Sequence, residues 1–247
     1  MLERRVLMMY AIITLASVVS GIIQSVTGFG SAVFLMLIVP YFFDMVASSA
    51  ISASIALGLS GTLAWKFRSK IQWKLCLFPT AIYMVCSVAV INVIRGLDLR
   101  LLSIAFGIFL ILLAVYFFVV AKRLSFQPNW KSACICSAIS GVTSGLFGIG
   151  GPLMAAFFVL ASQDKKNYIA NTQFLFAATG LVNLITRVIR GIYTVDLIPI
   201  TLLGLAGITL GKLIGLRILE RLNLDIMKKG VYAFVGISGL ITVLQQL

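Results

Sequence analysis

The sequence predicts an all-α polytopic membrane protein made of two internal repeats, each with a glycine-broken helical segment and three further spans. Composition is the first observation behind this prediction: the 247-residue chain is 61% hydrophobic and only 11% charged, whereas soluble domains carry about 25% charged residues. The second is its many apolar runs, roughly 15 to 25 residues each, which is the length of membrane spans. The third is a glycine-rich motif that occurs twice.

The glycine-rich motif is most complete at residues 140–152, where five glycines and Pro152 interrupt an apolar run. A second copy lies at residues 20–31. We interpret the two segments as the paired broken helices of a membrane transporter. They share one serine and three glycines at a constant spacing of 120 residues, in the pairs Ser20–Ser140, Gly21–Gly141, Gly28–Gly148 and Gly30–Gly150.

The first repeat is predicted over residues 1–125. Its start, with Arg4 and Arg5 before an apolar run, resembles a secretory signal peptide. Because the glycine motif begins directly after that run, at Ser20, we expect the segment to be retained. Pro79 falls in the first turn of a later span, where a missing N–H costs least. The further apolar runs of this half cover residues 32–43, 47–67, 75–94 and 99–120.

A short, turn-rich linker over residues 126–131 separates the halves, and the second repeat is predicted over residues 132–247. The spacing of 120 residues also relates Asp44 to Asp164 and Pro79 to Pro199. The duplication therefore extends well past the glycine motifs. The predicted segments of this half are a broken one at 132–160 and spans at 170–189, 196–219 and 225–247.

Two membrane topologies are compatible with these segments. If every segment crosses once, eight spans result and the two halves are parallel. If each broken segment is a hairpin that enters and leaves on one face, the halves are inverted. Loops on the cytoplasmic side carry an excess of Lys and Arg, and the inverted arrangement has the stronger asymmetry, so we favour it, with both termini outside. It places four basic groups on one side, at 66–74, 122–131, 165–166 and 217–229.

The two breaks form the candidate binding site. Pro152 after two glycines is typical of the first turn of a helix, and a helix N-terminus attracts anions through its free N–H groups and partial positive charge. Small polar side chains beside both breaks could hydrogen-bond an oxyanion. The alternative is that the glycines only allow close helix packing. The predicted substrate-binding residues at the breaks are Gln24, Ser25, Thr27, Gly28, Gly30, Ser31, Ser144, Gly148, Gly150 and Gly151.

Three polar residues follow the second break, at the start of the next span. Asn171, Thr172 and Gln173 are predicted to bind substrate, and hydrogen bonding between helices is the alternative. Asn183 lies eleven residues after Thr172, about three helical turns, so Thr172, Thr179 and Asn183 share a helix face. This face is predicted to line the transport pathway.

Ionisable residues inside a membrane are functional candidates by default. Lys212 lies within a predicted span, and Asn92 occupies the equivalent place 120 residues earlier. We predict that Asn92, Asn183 and Lys212 serve gating or the pathway, although Lys212 could also reach the membrane surface with its long side chain. Arg187 and Arg190, near the end of a span, are predicted to anchor the protein at the membrane interface.

The doubled motif, above all its second copy at residues 145–152, GLFGIGGP, resembles the sulfite exporter TauE/SafE family of membrane permeases. The resemblance covers nearly the whole chain. The first copy, at residues 28–31, departs from the family pattern because it lacks the second glycine of the pair and the proline. The resemblance implies transport of a small anion, typically sulfite, an organosulfonate or another sulfur-containing acid. We expect a multi-pass protein of the bacterial plasma (inner) membrane.

The sequence disfavours several other functions. The net charge is +13, but the basic residues lie in short loops, which is typical of membrane topology and not of nucleic-acid binding. With no histidine and four cysteines that lack metal-site spacing, we expect no metal site, no cofactor and free thiols. No hydrolase or nucleotide-binding motif occurs, so an enzyme and an ATP-driven pump are not expected. A carrier is predicted, and an anion channel with the same glycine-lined site is the alternative.

The expected partners are a small anion and the lipid bilayer, and a homo-oligomer is compatible with the sequence. All seven acidic residues fall in loops or at span ends. Because proton-driven carriers often keep a carboxylate or a histidine within the membrane, our hypothesis is that coupling uses the substrate's own proton or that transport is uncoupled.

Overall fold

The computed structural model describes residues 2–115 and 128–221, and these are α-helical with no β-strand. The last predicted span, 225–247, and the first two residues of the predicted linker, 126–127, lie outside the described residues, whereas the last two, 130 and 131, belong to the first turn of α6. The described α-helices, in chain order, are α1 (Leu2–Thr27), α2 (Ser31–Leu35), α3 (Met45–Lys66), α4 (Trp73–Val93), α5 (Leu99–Val115), α6 (Trp130–Phe147), α7 (Gly151–Ala161), α8 (Lys165–Ile189) and α9 (Ile198–Arg221).

Within the described residues, five helical segments are long and apolar enough to cross a membrane. They coincide with the predicted apolar runs to within a few residues, so the prediction of an all-α, multi-pass membrane protein is confirmed. The largest difference is at α1, which continues past the apolar run predicted to end before Ser20 as far as Thr27, and α8 begins at Lys165 instead of 170. The five segments are Val6–Thr27, Met45–Lys66, Trp73–Val93, Lys165–Ile189 and Val195–Arg221.

Both glycine motifs lie where one helix ends and the next begins. Helix α1 ends at Thr27 and α2 begins at Ser31, while α6 ends at Phe147 and α7 begins at Gly151. Directly after each first helix the chain has a left-handed conformation, with φ of 83° at Gly28 and 71° at Gly148. Only glycine adopts this conformation without strain.

The helices after the two breaks differ in length. Helix α7 continues for eleven residues with Pro152 in its first turn, whereas α2 has only five. A 3₁₀ turn over Val39–Tyr41 follows α2. Pro40 lies in this turn, and because a proline lacks the N–H group it cannot donate to the carbonyl of Met36, as a continued α-helix would require. The predicted apolar run over 32–43 is therefore not one continuous helix.

An aspartate caps the helix that follows each broken segment. The Asp44 carboxylate accepts hydrogen bonds from two backbone N–H groups at the start of α3, both at 2.9 Å. The Asp164 carboxylate does the same at the start of α8, both at 2.8 Å. An N-cap of this kind satisfies N–H groups that otherwise have no partner within the helix.

Glycines allow two close helix pairs. Helix α1 packs along α9, where a side chain on Gly211 would overlap the carbonyl of Val18 and one on Gly207 would lie 2.5 Å from the carbonyl of Thr14. Contacts advance in the same direction along both chains, so α1 and α9 are parallel. Helix α4 packs in the same way along α6, where Gly141 lies against the backbone of Tyr83. Small residues at such seams let membrane helices approach closely.

Helices α3 and α8 also pack together, but they run antiparallel. Both carry many buried residues, including hydroxyl and amide side chains, so they form the polar centre of the described residues. Their contacts progress in opposite directions along the two chains, in the pairs Ser49–Arg187, Leu57–Gly180 and Gln72–Asn171.

Several basic residues from distant parts of the chain lie at one end of this helix assembly. Lys66, Lys165 and Lys166 line a cavity of about 470 Å³ there, together with Glu220. The Lys165 ammonium donates to the carbonyl of Leu219 at 3.0 Å. The ends of α3 and α9 and the start of α8 are therefore on the same side of the molecule.

Candidate functional site

A cavity lies between the two breaks. It is bounded by Gly30 and Ser31 of the first break and by residues 148–151 of the second. Helices α3, α4 and α8 complete its wall. The side chains with polar groups that line it are Gln24, Ser31, Ser60, Tyr83, Ser144, Thr179 and Asn183.

The volume and lining of this cavity suit a compact polar ligand. Its volume is about 60 Å³, enough for a few water molecules or an ion of a few non-hydrogen atoms, since one water needs about 10–15 Å³. Its polar lining consists of hydroxyl and amide groups with no Asp, Glu, Lys or Arg. Hydroxyl and amide groups can donate hydrogen bonds to an anion without the repulsion that a carboxylate would add.

At the first break, Gln24 connects three parts of the chain. Its Nε2 donates to the Ser60 hydroxyl at 2.8 Å and to the Gln173 Oε1 at 3.0 Å, and its Oε1 accepts from the Ser31 hydroxyl. Gln173 in turn donates from Nε2 to the carbonyl of Gly28 at 2.6 Å. This buried network fixes the end of α1 against α3 and α8.

At the second break, the N-terminus of α7 lies at the cavity. Gly150 caps this helix and Gly151 is its first residue, and both line the cavity. A side chain on Gly150 would overlap the Tyr83 hydroxyl and the carbonyl of Ser140, so only glycine fits there. The positive end of the α7 dipole therefore points at a cavity lined by hydroxyls.

Helix α8 contributes Asn183, whose side-chain amide connects α4 to α6 at the second break. The Asn183 Oδ1 accepts from the Ser87 hydroxyl of α4 at 2.8 Å. Its Nδ2 donates to the Ser144 hydroxyl of α6 at 3.4 Å. Thr179, one turn earlier on α8, shares this face, so part of the predicted Thr172–Asn183 face lines the cavity.

Eight of the sixteen predicted site residues line the cavity, and eight do not. Those outside are used in helix-to-helix or local contacts: Thr27 donates to the carbonyl of Phe29 at 2.6 Å, and Thr172 donates to the carbonyl of Tyr168 at 2.8 Å. The residues in the cavity are Gln24, Gly30, Ser31, Ser144, Gly148, Gly150, Gly151 and Asn183, and those outside it are Ser25, Thr27, Gly28, Asn92, Asn171, Thr172, Gln173 and Lys212.

Asn171 and Ser25 are buried but face other helices. Asn171 exchanges hydrogen bonds with Gln72, accepting from its N–H and donating to its Oε1, both at 2.8 Å. Ser25 packs against Gly215 of α9. Their hydrogen-bonding and packing roles match the alternative stated for polar residues in membrane helices.

The predicted gating residues Asn92 and Lys212 lie away from the cavity. Asn92 is exposed at the end of α4 and accepts a hydrogen bond from the Arg190 guanidinium. Lys212 is half-buried on α9, and its ammonium donates to the Thr62 hydroxyl at 3.3 Å. Neither side chain reaches the polar lining in this conformation.

Sequence reasoning missed two polar residues of the cavity, Ser60 and Tyr83. Each lies within a long apolar helix that carries other hydroxyl side chains, so composition does not single it out. The interpretation of Arg187 as an interface anchor was wrong. Its side chain is only 1% exposed, because it turns into the protein and hydrogen-bonds with α3 and α6.

The cysteines agree with the expectation of free thiols. Cys76, Cys86, Cys134 and Cys136 are unpaired. Among the residues that the structure describes, no group of histidine, cysteine or acidic side chains could hold a metal ion.

Comparison with known proteins gives the family. The model of the family described as "Sulfite exporter TauE/SafE" matches residues 13–242. A relative from Methanocaldococcus jannaschii, named "Probable membrane transporter protein", is 25% identical over 263 residues, covering 98% of this chain and 98% of the relative. No solved structure matches the chain. The protein is a multi-pass integral membrane protein and belongs to the sulfite exporter TauE/SafE family of membrane transporters.

Proposed function

We propose that the protein is a secondary carrier for a small anion, sulfite or a related sulfur-containing acid, and that the anion binds in the cavity between the two breaks. One observation carries this proposal: both glycine breaks, which are 120 residues apart, border the same cavity. Transporters with broken helices bind substrate where the breaks meet.

The lining of the cavity supports an anionic substrate over a cationic one. Hydroxyl groups of Tyr83 and Ser144 and the N-terminus of α7 border the space. These groups present hydrogen-bond donors and a partial positive charge. No carboxylate lines the cavity to favour a cation, and its volume of about 60 Å³ favours a compact oxyanion.

We further propose that the two halves are inverted repeats. With an offset of 120 residues, the ends of α1 and α6 and the starts of α2 and α7 and of α3 and α8 coincide. The pairing of α1 with α9 then corresponds to that of α6 with α4, and α3 packs against its own counterpart α8. Because α3 and α8 are antiparallel and each is long enough to cross the membrane, the halves that contain them have opposite orientations.

The grouping of basic residues supports the same topology. Lys66, Lys165 and Lys166 border one cavity at one end of the helices. In a parallel arrangement of eight spans, the loop after α3 and the loop before α8 would be on opposite sides. In the inverted arrangement they share the side on which basic residues accumulate, which is then the cytoplasm.

The positions of the acidic residues and the absence of histidine also concern how transport is coupled to energy. The aspartates of α3 and α8 cap these helices at exposed positions, and no histidine occurs in the chain. We therefore propose that no carboxylate or imidazole carries a proton at the site. The driving proton, where one is used, travels on the substrate.

Counterflow in proteoliposomes tests the proposed carrier function. Vesicles loaded with unlabelled sulfite are diluted into radiolabelled sulfite, with sulfate, an organosulfonate and chloride as competitors. A carrier predicts saturable exchange that accumulates label against its concentration. Flux that follows the membrane potential, without exchange or saturation, would instead indicate the anion channel. No flux of any anion from folded protein would contradict both.

A further inference from the structure

Arg187 is a buried cation beside the cavity. It lies in the last turn of α8 with its side chain 1% exposed. One guanidinium nitrogen, Nη1, donates to the Ser49 hydroxyl of α3 at 2.6 Å. The other, Nη2, lies 3.2 Å from the carbonyl of Gly145 and 3.4 Å from that of Ser144. The third donor, Nε, is buried without a hydrogen-bond partner.

None of the acidic side chains that the structure describes neutralises this charge. Asp44, Asp98 and Asp164 cap α3, α5 and α8 at exposed positions. Asp196 and Glu220 are exposed near the two ends of α9. A buried charge is costly unless an opposite charge compensates it, and the carbonyl groups that Arg187 contacts carry only partial charges.

The guanidinium lies directly behind the cavity wall. Ser144, whose carbonyl it contacts, lines the cavity. The backbone of Ser49, its other partner, touches Gly148 of the second break, where an added side chain would be 2.7 Å from the Ser49 carbonyl oxygen. Asn183, one helical turn before Arg187, also lines the cavity. The charge is therefore separated from the cavity by about one layer of protein atoms.

We propose that Arg187 is the charge that makes the site selective for anions, with the bound substrate as its counter-ion. This inference rests on the proposed function, because it assigns the source of charge selectivity at the same cavity. A full charge in a protein interior acts over several ångströms with little screening. An empty cavity leaves the cation uncompensated, and an anion in the cavity compensates it. Arg187 is accordingly a selectivity-determining residue that need not touch the substrate.

A purely structural role makes different predictions. Arg187 also closes the C-terminal end of α6 through two carbonyl groups, an interaction that stabilises a helix. If it did only this, removing the charge would lower the stability of the protein and leave the affinity of folded protein for anions unchanged. If it sets selectivity, affinity falls in molecules that are still folded.

The test measures anion affinity and thermal stability of purified full-length protein in detergent, with sulfite, sulfate and an organosulfonate as the probes. Arg187→Gln is expected to weaken binding about tenfold or more, because the attraction between one full positive charge and the anion across the protein interior is lost. Arg187→Lys keeps the charge and is expected to bind within a few-fold of wild type. Arg68→Gln is the control, since it removes the same charge from an exposed position.

Unchanged affinity in folded Arg187→Gln would overturn this inference alone, provided that wild type binds the anion. No binding by wild type would overturn it together with the proposed function. If Arg187→Gln does not fold, the double variant Arg187→Met with Ser49→Ala replaces it, because it removes the charge and its hydroxyl partner together and leaves an apolar contact. Wild-type affinity in the folded double variant would equally contradict the inference.

Discussion

Gln24 and Gln173, which are 149 residues apart in the chain, are joined by a hydrogen bond of 3.0 Å from the Nε2 of the first to the Oε1 of the second. Gln24 lines the cavity, whereas Gln173 lies behind it and also donates to the carbonyl of Gly28 at 2.6 Å. Gln173 therefore positions the first break and does not line the binding space. Its predicted role as a substrate ligand stays a prediction, and in this structure its side chain supports the first break.

Replacing Gln173 with leucine should destabilise the protein. The Gly28 carbonyl loses its donor and Gln24 loses one acceptor, and each buried polar group without a partner costs about 1–3 kcal/mol. The expected result is a lower thermal unfolding midpoint in detergent. Gln163→Leu is the control, because Gln163 is exposed in the loop before α8. Equal midpoints for Gln173→Leu and wild type would show that the network contributes nothing.

Tyr83→Phe tests whether the cavity hydroxyls bind substrate. Tyr83 is 3% exposed and its ring is fully packed, so phenylalanine keeps the packing and removes only the hydroxyl. One lost hydrogen bond of about 1 kcal/mol predicts a roughly fivefold higher half-saturation concentration for transport, with little change in stability.

Tyr41→Phe controls for this change, since Tyr41 is 70% exposed and far from the cavity. A half-saturation concentration for Tyr83→Phe equal to that of wild type would remove the hydroxyl from the binding site.

Transport should depend on pH only through the substrate. Among the described residues, no carboxylate, imidazole, thiol or amine side chain lines the cavity. Uptake of an organosulfonate, which stays ionised, is expected to be constant from about pH 5.5 to about pH 8 without a pH gradient. Sulfite uptake should change, since sulfite itself titrates near neutral pH. A pH-dependent sulfonate flux would point to a titrating protein group and contradict the proposed coupling.

Labelling from each side of the membrane tests the inverted topology. Single cysteines are introduced into a variant in which Cys76, Cys86, Cys134 and Cys136 are replaced. Cysteines at Ser69 and Gln163 should react with an impermeant reagent from the same side, and those at Leu97 and Thr194 from the other. All four positions are exposed. Reaction of the Ser69 and Gln163 variants from opposite sides would indicate eight parallel spans instead.

The breaks could be predicted from the sequence because their signal is local. Glycine and proline act on the backbone at their own positions, so Gly28, Gly148 and Pro152 indicated where helices end and begin. Asp44 and Asp164, which cap α3 and α8, follow the same spacing of 120 residues, and a helix cap also acts on the backbone near its own position.

The rest of the site depends on how distant helices meet. Tyr83 differs little from other aromatic residues of apolar helices until α4 packs against the second break. Asn171 and Gln173 are only two residues apart in sequence but turn to different neighbours, one to Gln72 and the other to the first break. The position of Arg187 was predicted wrongly because an arginine near the end of a span usually reaches the membrane surface. Tertiary packing turns its side chain inward, and the sequence does not show this packing.

The central claim, that the anion binds where the two breaks meet, is tested most directly by anion-induced currents on solid-supported membranes with Gly148→Ala. At Gly148 φ is +71° and an added methyl group would lie 2.7 Å from the Ser49 carbonyl oxygen. Gly61→Ala on α3 is the matched control, because nothing lies within 4 Å of its added methyl group. We predict saturable sulfite currents from wild type and Gly61→Ala and none from folded Gly148→Ala. A wild-type current from Gly148→Ala would contradict the account.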